Sequence, residues 1–147
     1  MISETLLATA RRRLVTIGDG ARLTTAAGLF GNHETRLIVV CDAAGCMTGV
    51  VSRTDIVTRI SRCTGCTCAE TIGTAMTAPV TACRPTEAAD EIWDRMKRTG
   101  FTHLPVMDAG GRPVGVLGAH DVLETLLAER EQEESLLMDY VTGIGYR

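Results

Sequence analysis

The chain contains one segment twice. Asp42-Ala-Ala-Gly45 through Gly49-Val-Val-Ser-Arg-Thr-Asp55 reappears as Asp108-Ala-Gly-Gly111 through Gly115-Val-Leu-Gly-Ala-His-Asp121, and the spacing is 66 positions from Asp42 to Asp108, from Gly49 to Gly115 and from Asp55 to Asp121 alike. The glycines hold their places and the apolar positions between them match. A repeat of this size is a supersecondary unit that buries its apolar face against another copy, so it limits the possible folds more than any local propensity does.

Each copy reads as the same local structure. The apolar run Leu37 to Cys41 predicts a buried strand, Asp42 to Gly45 a hairpin turn and Gly49 to Val51 the returning strand. Ser52-Arg-Thr-Asp55 resembles a capping box, with a hydroxyl at the helix start and an acid three residues on. The second copy repeats this with Leu104 to Met107, Asp108 to Gly111, Val114 to Leu117 and Gly118 to Asp121, and Gly118 stands where Ser52 stood. Upstream, Val15-Thr16 and Val80-Thr81 open short extended segments that lead to helix-like stretches, Leu23 to Phe30 and Thr86 to Arg98. The second stretch is the clearer helix, because Pro85-Thr86-Glu87 signals its start and Ala89, Ile92, Trp93 and Met96 share one face. Matching Val15 to Val80 asks for one residue of gap between the halves. The unit is strand, helix, hairpin, helix.

These residues resemble a family. Met76-Thr77-Ala78-Pro79-Val80, the run Gly100-Phe101-Thr102-His103-Leu104-Pro105-Val106, and the two Gly-x-x-[Ser/Gly]-x-x-Asp segments ending at Asp55 and Asp121 are similar to tandem cystathionine-β-synthase (CBS) domains, the paired regulatory units called Bateman modules. The resemblance runs from about Val15 to Leu127. The first unit departs from it, with Val39 in place of the family's proline and no Gly-aromatic pair ahead of it. What the resemblance implies is an α+β (α/β) fold of two β-α-β-β-α repeats about a pseudo-twofold axis. The expected organisation is an N-terminal helix over 1–14, a first repeat over 15–62, a cysteine-containing linker over 63–75, a second repeat over 76–128 and a helical tail over 129–147.

Composition narrows the function. With 147 residues, 45% apolar and 22% charged, the chain suits two small interdependent units, and a net charge of −3 with 3% aromatic residues offers no basic surface for nucleic acid. No apolar run approaches the ~20 residues of a membrane span, and Glu4 spoils a signal peptide. The expectation is a cytoplasmic protein with no membrane partner. Arg11-Arg12-Arg13 reads as a solvated helix face or end. Neither a Ser/His/Asp ordering nor a Walker-type glycine loop is present, and the two candidate bases in good motifs, His103 and His120, suit ligand binding better than proton transfer. The chain therefore reads as non-catalytic.

The repeated motif favours an anionic ligand rich in hydroxyls. Helix N-termini at Ser52 and Gly118 present free N–H groups suited to phosphate, and Asp55 and Asp121 are carboxylate acceptors for a vicinal diol; a ribose phosphate meets both demands. The bland alternative is that both segments only cap helices. The resemblance implies the ribose role for each aspartate, a phosphate role for the preceding Ser or Thr, and an adenine-lining role for the strand bearing Thr16 or Thr81. The first site then gathers Ser52, Arg53, Thr54 and Asp55, and the second His120 and Asp121 with the wall containing His103, Pro105 and Val106. Phosphate chemistry favours the first and adenine shape the second, which is the better-formed pocket on this reading. The expected ligand is AMP, ADP, ATP or S-adenosylmethionine.

Cys41, Cys46 and Cys83 read as packed, inert thiols, whereas Cys63-Thr-Gly-Cys66-Thr-Cys68 has a spacing at which thiolates converge on a soft metal or form a redox disulfide. A flexible linker is the alternative, and a fourth ligand is missing nearby. Asp121 to Tyr140 reads as a helix longer than the repeat needs, with one apolar patch at Val122, Leu123, Leu126 and Leu127 and another at Leu136, Leu137, Tyr140 and Val141. The second patch is expected to pack on the module or its mate in a homodimer that signals to an unidentified effector protein. The competing readings are a structural dimerisation adaptor without nucleotide and a thiol- or metal-dependent switch.

Overall fold

The structure, a computed structural model, describes residues 1–62 and 70–145, with side chains of the last helix described as far as Met138. The elements run α1 (Glu4–Arg13), β1 (Thr16–Gly18), α2 (Leu23–Leu29), β2 (Leu37–Cys41), β3 (Met47–Ser52), α3 (Arg53–Ser61), a 3₁₀ turn (Ile72–Thr74), α4 (Ala89–Thr99), β4 (His103–Met107), β5 (Pro113–Gly118) and α5 (Ala119–Gly145). Two α+β units of the expected kind result.

Local chemistry accounts for the boundaries. In both hairpins the aspartate closes an Asx turn: Asp42 Oδ1 accepts the N–H groups of Ala44 (2.9 Å) and Cys46 (3.0 Å), and Asp108 Oδ1 accepts those of Gly110 and Arg112 (both 2.9 Å). Gly45 and Gly111 follow at φ +85° and +82°, where side chains are disfavoured. The capping box predicted at Ser52 is present: its hydroxyl accepts Asp55 N–H at 3.2 Å and Asp55 Oδ2 accepts Ser52 N–H at 2.9 Å. Helix α4 begins at Ala89, three residues after the predicted Thr86. Glu87 is engaged in the preceding turn, accepting Arg84 N–H at 3.0 Å and pairing with Arg95 at 2.6 Å.

The sheets differ in one strand. In the first repeat β1 runs parallel to β2, which forms an antiparallel hairpin with β3. In the second, β4 and β5 form the hairpin, but the extended strand expected at Val80-Thr81 is reduced to a single bridge between Cys83 and Val106. Proline explains the loss. Val39 N–H donates to Val15 O at 2.9 Å in the first repeat, and the residue 66 positions after Val39 is Pro105, which has no N–H to give. The pairings Ile17 with Val40 and Cys83 with Val106 also keep the 66-residue offset. No gap is needed, and the counterpart of Thr81 is Val15 rather than Thr16.

The two cores exchange their leading segments. Ile2, just ahead of α1, and Leu6 and Ala10 of α1 are buried with Ile92, Met96, Leu104, Leu117 and Val122 of the second repeat, while Ile72 is buried with Leu23, Ile38, Val40, Val51 and Ile56 of the first. Backbone bonds fix both segments: Ile2 N–H to Pro85 O (3.1 Å), Leu23 N–H to Glu70 O (2.9 Å) and Ile72 N–H to Ala21 O (2.8 Å). The offset reaches into these segments, pairing Leu6 with Ile72 and Ala10 with Met76. Gly115 lies directly under Ala10, since a Cβ there would come within 2.7 Å of the Ala10 carbonyl carbon; Gly49 lies under Met76, whose sulfur would be 2.7 Å away. Each leading segment thus covers the glycine of the other repeat, the reciprocity of a twofold arrangement. Leu37, Val39 and Val116 fill the seam between the repeats.

Helix α5 has 27 residues, roughly 40 Å at 1.5 Å per residue. Of the second apolar patch expected to dock, Leu136 and Leu137 are more than 60% exposed, as is the neighbouring Met138; the side chains of Tyr140 and Val141 lie outside the described residues. The covered stretch of the helix packs against α4 and the second core.

Two measurements test this packing. Gly115→Ala should cost about 1–3 kcal/mol in urea unfolding, because Ala10 backbone cannot step aside, and Gly49→Ala should cost less, because its nearest obstacle is a flexible Met76 side chain. The second concerns Cys83, whose burial, reinforced by the Glu87 carboxylate, pushes its thiol from 9.0 up to about 12. The folded protein holds this proton after the unfolded chain has lost it, so the associated stability is intact below pH 9 and drains away as pH rises toward 12. Wild type should lose stability relative to Cys83→Ala across that interval; parallel curves would remove the thiol from the account.

Candidate functional site

A cleft of 170 Å³ opens at the seam, and both repeats build it. The first repeat supplies Leu37, Val50 and the α3 start with Ser52 and Asp55; the second supplies Thr77, Pro79 and Thr81 and the wall Phe101, His103, Leu104 and Pro105. The exchange described above causes this mixing, since residues leading into the second repeat lie along the first. Asp55 faces the cleft with one oxygen committed: Oδ2 takes Ser52 N–H at 2.9 Å and the Thr77 hydroxyl at 3.4 Å. Among the described residues nothing donates to Oδ1. The Ser52 hydroxyl accepts in the cap and keeps its own proton to donate. The cleft thus combines an acidic acceptor and a helix N-terminus at one end with an apolar slot at the other.

Other residues singled out in the sequence sit elsewhere. Arg53 does not line the cleft; its Nη2 donates to Phe30 O and Asn32 O, both at 2.9 Å, and its guanidinium lies 5.8 Å from the Phe30 ring centroid. Its charge is placed on carbonyls at the C-terminal end of α2, where a cation is favourable. Thr54 and Thr16 are exposed and line neither cleft, and Val106 is fully buried in the second core.

A second cleft, of 330 Å³, gathers Gly118, Ala119, His120 and Asp121 with Thr102, His103, Arg13 and Arg36. Arg13 and Arg36 also line an adjoining depression of 590 Å³ with Val15 and Thr35. Here the carboxylate is already partnered: Arg13 Nε lies 2.9 Å from Asp121 Oδ2, and Arg13 Nη2 donates to Oδ1 at 3.3 Å. His120 is 82% exposed and pairs with Glu124 at 2.9 Å. Gly118 provides room, since a Cβ there would be 3.2 Å from Asp121 Oδ2 and 3.3 Å from His103 Nε2. The run Gly100 to Val106, assigned in the sequence reading to the second pocket, turns Phe101, Leu104 and Pro105 into the first.

His103 lines both clefts. Burial holds its pKa below the ordinary 6.5, and the Arg13 and Arg36 guanidiniums push the same way against Asp121. The imidazole is neutral at pH 7, with Nδ1 3.1 Å from the Thr102 hydroxyl.

Sequence reasoning passed over Thr77, Leu37, Phe101 and Arg13. Thr77 and Phe101 stood inside quoted motifs, and the signal for Arg13 was its place 66 residues before Pro79. Among the described residues, no three His, Cys, Asp or Glu side chains converge as a metal site; Cys63, Cys66 and Cys68 lie outside the described residues. No helix among them is long and apolar enough to cross a membrane.

Comparison with known proteins fits this architecture. The CBS domain family model matches residues 6–62 and 70–128. The chain is 28% identical over 110 residues to homoserine O-acetyltransferase of Methanococcoides burtonii, covering 75% of this chain and spanning only 22% of that protein. Among solved structures, it resembles the CBS-domain containing protein ATU1752 from Agrobacterium tumefaciens (28% identity, TM-score 0.67, 76% of this chain and 88% of that one). It also shares the fold of CBSX2 from Arabidopsis thaliana, solved in complex with AMP (22% identity, TM-score 0.69, 85% and 97% covered). Two matched repeats, their exchanged leading segments and the paired Gly-x-x-[Ser/Gly]-x-x-Asp segments make this chain a member of the CBS domain family, carrying two copies of the domain.

Proposed function

We propose that the chain is a non-catalytic regulatory module that binds an adenine nucleotide in the first cleft and passes the bound state to a partner protein in the cytoplasm. The observation that carries this reading is the meeting of Asp55 and the α3 N-terminus with the slot formed by Thr81, Phe101, Leu104 and Pro105. Asp55 Oδ1 accepts ribose hydroxyls, the α3 amides and Ser52 receive phosphate, and the apolar slot takes the base. The AMP complex of CBSX2, a protein of the same fold, supports the ligand class. S-adenosylmethionine offers the same adenosine group. The homodimer belongs to the same proposal: Val57 on α3 and Leu123 on α5, equivalent under the repeat, are both exposed, with Ile60 and Leu127 beside them. These apolar residues supply a face for a second copy.

Affinity should be micromolar to millimolar, because the slot is short and partly open. Titration calorimetry with AMP, ADP, ATP and S-adenosylmethionine should show binding to wild type by at least one of them. Asp55→Ala should weaken the first cleft by about 1.5–3 kcal/mol through loss of a charge-assisted hydrogen-bond pair. No heat and no thermal stabilisation with any of the four would favour the adaptor reading.

A further inference from the structure

The two clefts diverge at positions that the repeat makes equivalent. Pro79 lines the first, and Arg13, 66 residues earlier, lines the second. Proline brings no charge and no N–H, so Asp55 faces its cleft with Oδ1 free of donors among the described residues. Asp121 is ion-paired with Arg13, whose Nε lies 2.9 Å from Oδ2 and whose Nη2 donates the one hydrogen bond, to Oδ1 at 3.3 Å; the Asp121 side chain is 14% exposed. The first amide of α5 is also engaged, Ala119 N–H donating to Thr102 O at 2.7 Å. Arg13 is firmly carried. It is the last residue of α1, whose Leu6 and Ala10 are buried in the second core, with Ala10 seated on Gly115.

We propose that Arg13 is a latch that keeps the second cleft closed to nucleosides, so that the chain takes one adenine nucleotide in the first cleft and gains a second site only when Arg13 leaves Asp121. This rests on the reading of both aspartates as ribose acceptors. A diol reaching Asp121 must displace a guanidinium ion pair with its charge-assisted hydrogen bond, whereas a diol reaching Asp55 meets an Oδ1 to which nothing donates among the described residues.

Equilibrium dialysis of the full chain against radiolabelled AMP counts the sites. Wild type, Asp121→Asn, Arg13→Gln, Arg13→Met and the double variant Arg13→Gln/Asp121→Asn are compared after circular dichroism has shown each to be folded; methionine keeps an apolar stem should glutamine unsettle α1. The expected counts per chain are one for wild type and for Asp121→Asn, two for either Arg13 variant and one for the double variant. Two sites in wild type, one of them lost in Asp121→Asn, would overturn the latch and leave the nucleotide reading standing. So would a single site in both Arg13 variants. Absence of AMP binding in every protein would overturn the nucleotide reading and the latch with it.

Discussion

Two contacts between a leading segment and a glycine hold the module in its arrangement: Ala10 on Gly115 and Met76 on Gly49. Glycine has no side chain to hold the Ala10 backbone or the Met76 sulfur away, and at both places the approach is closer than a Cβ would permit. Alongside those contacts, Leu6 and Ile72 lie in the opposite cores. Burying each such side chain contributes roughly 1.5–3 kcal/mol. The clefts follow from this, because the residues after each leading segment run along the neighbouring repeat toward the start of α3 or α5.

The same arrangement turns a near-symmetric sequence into an asymmetric pair of sites. Ser52 against Gly118, Leu37 against His103, and Pro79 against Arg13 are three exchanges at equivalent positions, and together they set one carboxylate in an uncharged slot and the other among cations. The neutral imidazole of His103 stands between them, its lowered pKa reflecting burial and the arginines on one side. A change in either cleft therefore meets a residue that borders the other.

Much of the fold was legible because it depends on local chemistry that the repeat writes twice. The Asx turns at Asp42 and Asp108, the Ser52–Asp55 capping box and the apolar face of α4 follow from residue types at fixed short spacings. The site was less legible, because it depends on which repeat faces which. Sequence order suggested that the Gly100–Val106 wall belongs with Asp121, whereas the exchange of leading segments puts Phe101, Leu104 and Pro105 opposite Asp55. Arg53 looked like a phosphate-binding cation next to the cap, and nothing local revealed that the end of α2 would take it. Val15 and Thr81 could be matched only through strand register, because Pro105 removes the hydrogen bond that would have made the second strand visible.

The crossing of leading segments also bears on the order in which this chain can acquire structure. Residues 2–10 precede every other element, yet the surface they cover includes β5 and α5, more than 100 positions later. Ile2 and Leu6 have no native cover until nearly the whole domain pair exists. The first repeat, likewise, lacks its Ile72 plug until the chain has passed the segment between the repeats. Contacts so distant in sequence delay closure, and a partly made chain leaves apolar surface exposed in the meantime. Neither repeat finishes alone, and the two halves mature together.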